Sequence, residues 1–317
     1  MKTVRVHFAD YYGTRPENIW AYQLLRRHYD VVLDARDPEY LIDGGLGMDH
    51  LDYPKAVKIV IIGESYVPDF NLFDYAVGFD DLTFGDRYLR LPLFAFYSQF
   101  KALEALRAQS VDPALAKRDF CSFVVSNDDG DPARLEFFRR LSKYKPVASG
   151  GKLFNNVGGR VPDKSAFVAK YKFNIAFENS TVPGYTTEKV MEPLAVRSVP
   201  IYYGNPRIDE DFDPACMVRL ASRDDMDRVI EEIVALDRDD DAYLTKLSAP
   251  TFRHPFEWYE ARFDAFLRNV FDQPLESAHR LNAYGYQTNI RNRAEQARKM
   301  YFITHPGKLI KRIRHAF

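Results

Sequence analysis

Phe173-Asn174-Ile175-Ala176-Phe177-Glu178-Asn179-Ser180, then Pro183-Gly184-Tyr185-Thr186-Thr187-Glu188-Lys189, then Val199-Pro200-Ile201-Tyr202-Tyr203-Gly204 form the most informative stretch of the chain. Read physically, they are a strand, a polar loop, the start of a helix and a second strand. The loop offers Ser, Thr and backbone N–H donors, and Gly184 lets backbone approach a ligand closely. A helix N-terminus near Thr186 favours an anion such as a diphosphate. Lys189, one turn in, adds a full positive charge, and Glu188 is an acceptor suited to a ribose diol. A capped helix with a surface Glu-Lys dipeptide would show the same spacing, so the residues alone leave both readings open.

The same alternation extends outward. Phe120 to Val125 reads as a buried strand, followed by the polar turn Ser126-Asn127-Asp128-Asp129-Gly130 and a helix from Pro132 with Leu135, Phe138 and Leu141 inward. In the first half, Val4 to Phe8 reads as a strand. Pro16 opens a helix to about His28 with Ile19, Trp20 and Leu24 on one face. Val31 to Leu33 is a short strand. Val57 to Gly63 is a continuous apolar run of the kind found in parallel sheets covered on both faces. A helical pattern over Gln99 to Gln109 breaks at Val111-Asp112-Pro113. Two blocks of alternating elements predict two doubly wound α/β domains facing each other across a cleft, with ligands at the carboxyl ends of the strands. The expected divisions are 1–115, 116–285 and a tail, 286–317.

The composition fits a globular chain of 317 residues, with 46% hydrophobic and 28% charged residues and no run long enough to span a bilayer as a helix. The strand-like run starts almost at Met1, so no secretory signal or signal anchor is expected ahead of it. Cys121 and Cys216 sit in apolar runs and read as core residues of a reducing compartment. Twenty-four Phe and 20 Tyr suit a sugar-binding cleft, and equally an aromatic core. Net charge is −1, but from Arg291 to Phe317 eight Lys or Arg face one Glu, so the tail carries +7 and the body −8. An acidic body without a nucleic-acid-reading motif argues against nucleic acid as a partner.

The quoted motifs resemble the signature of the α-1,3-fucosyltransferases, glycosyltransferase family ten. Phe177 to Ser180, Gly184 to Lys189 and Pro200 to Gly204 carry the donor-side match. Gly63-Glu64, Pro68 to Asp80 and Asp86 to Arg90 are similar to the acceptor-side segment of bacterial members. The resemblance implies a GT-B architecture, two Rossmann-like domains facing a cleft, with acceptor on the N-terminal domain and GDP-fucose on the C-terminal one. It implies inverting transfer of L-fucose from GDP-fucose to an N-acetylglucosamine of a LacNAc-type glycan. Glu64 matches the family's proposed general base, with Asp69, Asp74 and Asp80 as nearby rivals. Arg134 and Lys189 match cations that stabilise the GDP leaving group. Tyr185, Glu188, Asn179, Glu178 and Asn127 carry over as donor contacts. The spacer Thr181-Val182-Pro183 departs from the Gly and Tyr common in bacterial relatives, which bears on the local loop shape. Alternatives are a GT-B transferase using another GDP-sugar, or a non-catalytic carbohydrate-binding relative. Glu64 and the two cations argue against the last, because binding alone needs no base.

No metal site and no cofactor beyond the sugar-nucleotide substrate are expected. The Asp-x-Asp spacings at Asp211, Asp225 and Asp239 follow no buried strand and read as surface charge, and the histidines lack paired zinc-ligand spacing. Gly44-Gly45-Leu46-Gly47 reads as a loop bend or a phosphate turn. In the tail, Leu309, Ile310, Ile313 and Phe317 share one helical face flanked by cations. Residues 305–317 therefore read either as a contact with an anionic membrane or as a helix docked on the body. A cytoplasmic chain, peripheral on the inner membrane face in the first case, is the corresponding expectation. Acceptor identity among a glycan, a lipopolysaccharide and a glucosylated protein is left open.

Overall fold

Val57-Lys58-Ile59-Val60-Ile61 is buried at all five positions, side chains of both faces included, as expected of a strand inside a parallel sheet. The computed structural model describes residues 1–307 except Tyr12, Asn127, Asp128, Asp129, Ala283 and Pro306. The Asn127 assignment and the apolar face of residues 309–317 therefore lie outside the described residues. The chain forms two compact units.

The first unit comprises 1–78, 82–90 and 261–317. Its six strands are β1 (Lys2–Ala9), β2 (Tyr29–Leu33), β3 (Tyr40–Asp43), β4 (Val57–Ile61), β5 (Tyr75–Gly78) and β6 (Tyr88–Arg90), in the order β2-β1-β3-β4-β5-β6. Every pairing is parallel. Pro16 opens a 3-10 turn, and the α-helix proper, α1, runs from Trp20 to His28 with Leu24 and Leu25 buried. The chain returns to this unit after residue 260. Phe271 stacks on Tyr40 at 4.1 Å, Lys2 Nζ donates to the Phe271 carbonyl at 2.7 Å, and Tyr29 Oη donates to Asp272 at 2.6 Å.

The second unit comprises 79–81 and 91–260. Its strands are β7 (Asp119–Phe123), β8 (Val147–Ser149), β9 (Tyr171–Phe177), β10 (Val199–Tyr203) and β11 (Val218–Arg219), ordered β11-β10-β9-β7-β8 and again all parallel. Helices α2 (Gln99–Arg107), α3 (Ala133–Leu141), α4 (Lys164–Val168), α5 (Glu188–Ala195), α6 (Met226–Arg238) and α7 (Asp240–Ser248) accompany it. Each unit is thus a doubly wound α/β domain of the expected class. Both cysteines are free and buried, as read. Among the described residues no helix is long and apolar enough to cross a membrane.

Several local expectations need correction. In α3 Phe138 and Leu141 are buried and Leu135 packs half-buried against the same core, as expected; the inward residue not foreseen is Phe137. The break at Val111-Asp112-Pro113 is real but local: Asp112 accepts from Ala114 N at 2.9 Å and caps a 3-10 turn over Pro113–Lys117 inside the second unit. The units therefore divide the chain differently from 1–115 and 116–285. Residues 91–115 belong to the second unit because α2 is tied there. Arg107 Nε donates to Thr251 Oγ1 at 2.6 Å, and Arg197 Nη2 donates to the Leu106 carbonyl at 2.7 Å. Asp211 is not surface charge: it is buried, and its carboxylate accepts from Tyr259 Oη at 3.0 Å.

Asp74, one of the rival carboxylates, is buried and accepts from the backbone N–H groups of Lys58, Arg280 and Leu281 at 2.7–2.9 Å. It ties the strand edge to the returning chain. Asp74→Ala leaves three donors without their acceptor and should cost about 3 kcal/mol. A thermal melt should then fall by about 6–12 °C. An unchanged melt would show that this tie is replaced by water.

Candidate functional site

The loop after β9 is built around one side chain. Glu178 follows the strand directly, its N–H donates to the Tyr203 carbonyl at 2.8 Å, and its side chain is buried. The carboxylate accepts from Thr187 N at 2.8 Å and Thr187 Oγ1 at 2.7 Å. Lys189 Nζ lies 3.4 Å away. Thr187 in turn caps α5, accepting from Lys189 N. The excursion 179–186 is thereby pinned at both ends to one carboxylate. Gly184 sits at φ +84°, and a Cβ there would overlap the Phe79 carbonyl, so only glycine fits. Tyr185 is buried edge-on against Phe79, with ring centroids 5.3 Å apart.

A cavity of about 580 Å³ opens at the carboxyl ends of β7 and β9. That is the place a doubly wound sheet offers a ligand, and the size suits a small molecule. Its walls include Ser126, Arg160, Lys164, Asn179, Glu188 and Lys189. The structure thus brings together three sequence-predicted residues: Asn179, Glu188 and Lys189. Glu178 and Tyr185 do not line the cavity; they hold the loop that does. Arg134, in the first turn of α3, is buried and also off the cavity wall. Its Nη1 donates to Asn179 Oδ1 at 3.4 Å, so it stands behind a wall residue.

Electrostatics follow from this packing. Burial pushes the Glu178 carboxyl above its usual range, opposed by Lys189 and the two Thr187 bonds. Burial pulls the Lys189 ammonium down, but Glu178 and Glu188 (3.3 Å) outweigh it and the net shift is upward. Burial likewise raises Glu188, while Lys189 and the bond from Tyr97 Oη at 3.0 Å more than reverse it. Lys189 is therefore a permanent cation already balanced by two carboxylates. Additional positive charge comes from Arg160, exposed at the cavity and paired with no carboxylate among the described residues. Lys164 is paired with Glu192.

Residues 6–97 match the model of the α-(1,3)-fucosyltransferase FucT N-terminal domain, and residues 114–255 match that of the glycosyltransferase family 10 (fucosyltransferase) C-terminal domain. The chain belongs to glycosyltransferase family 10. It is 33% identical over 286 residues to the α-(1,3)-fucosyltransferase FucT of Helicobacter pylori, a match covering 77% of this chain. The chain spans 59% of that relative's length. A crystal structure of an α1,3-fucosyltransferase superposes with a TM-score of 0.70 at 30% identity, covering 84% of this chain and 91% of that one. A crystal structure of an α1,3-fucosyltransferase with GDP-fucose superposes with a TM-score of 0.68 at 28% identity, covering 85% of this chain and 92% of that one.

In this family-10 chain Glu64 lies in the first unit, three residues beyond the end of β4 and exposed, the carboxyl-end position expected of it. Asp69 accepts from Asn71, and Asp80 falls in the second unit. Sequence reading missed Arg160 and Lys164. A signal existed in Asn155-Asn156-Val157-Gly158-Gly159-Arg160: both glycines have positive φ, and the Asn155 amide donates to and accepts from Gly159 at 2.8 and 2.9 Å. That turn presents Arg160.

Glu178→Ala should strip Lys189 of its buried partner and destabilise the chain by about 3–5 kcal/mol. Thr187→Ala should cost about 1 kcal/mol for the cap and about 1.5–3 kcal/mol for the hydroxyl donor lost by Glu178, while Thr187→Ser should keep both bonds and most of the stability. Thermal melts of the three variants measure the difference. A loss in Thr187→Ser equal to that in Glu178→Ala would mean that these bonds to the buried carboxylate do not hold the loop.

Proposed function

We propose that this chain transfers L-fucose from GDP-fucose to an N-acetylglucosamine of a LacNAc-type glycan, inverting the configuration at C1. The observation that carries the reading is the cavity at the carboxyl ends of β7 and β9, walled by Asn179, Glu188 and Lys189 of the family signature. In the step, the acceptor oxygen forms a bond to C1 of fucose as the bond from C1 to the diphosphate oxygen breaks. The electron pair leaves with GDP, and the acceptor proton passes to Glu64 as general base. Lys189 and Arg160 supply charge to the departing diphosphate, with the guanidinium of Arg160 able to fork onto two oxygens. Arg134 acts through Asn179 or on the same phosphates, and Glu188 is an acceptor for the ribose diol. Tyr185 and Glu178 shape the loop. No metal is assigned a part in this step.

Incubation with GDP-fucose and LacNAc should release GDP well above a no-acceptor control. Release only with another GDP-sugar would establish the sibling transferase reading, and GDP binding without turnover on any donor the carbohydrate-binding one. Glu64→Gln keeps the shape and removes the base, so turnover should fall about 10²- to 10⁴-fold with little change in GDP affinity. Full turnover in that variant would assign proton removal to another group.

Arg160→Ala is the cleanest test of the donor site, because the side chain is exposed and its loss should leave the melt unchanged. GDP affinity by calorimetry should drop roughly tenfold or more, the worth of one charge-assisted contact. Lys189→Ala and Arg134→Ala should weaken GDP by a similar factor, with a lower melt because both side chains are packed. If all three bind GDP like the parent, the donor lies elsewhere.

A further inference from the structure

The first unit holds a cluster that the proposed transfer does not use. In the parallel pair β1 and β3, Ala9 is the register partner of Asp43, so Asp10 and Asp43 emerge side by side at the carboxyl ends of neighbouring strands. His50 reaches the same point from the 3-10 turn Asp49–Asp52. One ligating atom from each of the three residues lies within 4.8 Å of the other two.

Polar atoms of Asp43 and His50 are not satisfied by the protein. Asp43 is fully buried; Oδ1 accepts from Gly45 N at 2.7 Å, while Oδ2 has no hydrogen-bond partner. His50 is 94% buried by its 6% exposure, and neither ring nitrogen has a hydrogen-bond partner. Its Nδ1 faces Asp43 Oδ2 at 3.8 Å, and the ring is held by Phe73 at a centroid distance of 4.6 Å. No Lys or Arg pairs with Asp43 among the described residues. Buried carboxylates and imidazoles are ordinarily bonded, and leaving such atoms unmet is costly. Asp43 Oδ2 and His50 Nδ1, both unmet and 3.8 Å apart, face one point beside the Asp10 carboxylate and call for a ligand with positive charge.

The rest of the cluster is shaped to the same end. Asp10 stands at φ +61°, its Oδ2 accepts from Asp49 N at 3.1 Å, and a Cβ on Gly47 would overlap its carboxylate. The run Gly44-Gly45-Leu46-Gly47 thus makes room for an aspartate rather than a phosphate. Asp10 is only half-buried, which leaves a way in from solvent.

We propose that Asp10, Asp43 and His50 bind one divalent transition-metal ion, with zinc the best fit. Two carboxylates balance its charge, one imidazole selects a borderline ion over magnesium or calcium, and a fourth position stays open to water. The ion would tie the ends of β1 and β3 together through the glycine turn. Tyr66 Oη donates to the Gly45 carbonyl, so the segment carrying Glu64 rests on that turn. The ligand set shares no residue with the donor cavity, and the inference does not depend on the transferase reading.

The test uses the full chain without an affinity tag, stripped by a chelator and titrated with zinc. One zinc per chain is expected, with a rise in melting temperature, and Co²⁺ in its place should show visible d–d absorption. Asp43→Asn, His50→Gln and Asp10→Asn should each weaken zinc binding about 100-fold or more, beyond the loss typical of outer-shell changes. Asp10 is half-exposed, so its variant guards against misfolding at Asp43, and unchanged GDP affinity reports an intact second unit. Sub-stoichiometric zinc in the parent chain, or binding that survives all three substitutions, overturns the proposal. So does a melt that rises in Asp43→Asn while the parent takes up no zinc, which would identify a proton-sharing carboxylate pair.

Discussion

A carboxylate out of reach of water must find its donors in the protein, and Glu178 finds them by drawing the donor-side loop around itself. Thr187 supplies a backbone and a hydroxyl donor, and Lys189 supplies charge. All three partners lie on one short segment, so satisfying the carboxylate also fixes where α5 begins. The loop between has little freedom left: Gly184 passes against the Phe79 carbonyl, and Tyr185 packs into the interior. Asn179, Glu188 and Lys189 face the cavity because the residues between them are tied down.

This arrangement changes how the positive charge of the site is counted. Lys189 lies within ion-pair distance of two carboxylates, so much of its field is spent inside the protein. Under the proposed function, a diphosphate would meet a balanced cluster on that wall and an exposed guanidinium, Arg160, on another.

In both units the candidate residues lie where parallel strands end. In the second, β7 and β9 open onto the cavity. In the first, β1 and β3 bring Asp10 beside Asp43, and β4 leads within three residues to Glu64. Parallel pairing aligns all carboxyl ends on one side of a sheet, so loops that are far apart in sequence become neighbours. Asp74 shows the opposite use of an acid, spent on three backbone donors and thereby unavailable for proton transfer.

The alternation of strands and helices was legible in the residues, because long apolar runs such as Val57–Ile61 and Tyr171–Phe177 have only one reading when flanked by polar turns. The family signature was legible as well, and with it the candidates Glu64, Glu188 and Lys189. Strands of two to four residues, β3, β5, β6, β8 and β11, are too short to show a period, and only their neighbours' hydrogen bonds make them strands. The same limit hid the burial of Arg134 and Glu178: charge type is visible in sequence, burial is not. Domain membership of 91–115 was hidden because Asp112 caps a turn with the same residues that end a domain. Asp10, Asp43 and His50 are separated by up to 40 positions and come together only through strand register. Local sequence determined which elements form and which side chains carry charge; tertiary packing decided which of those charges meet solvent, since that depends on atoms contributed from elsewhere in the chain.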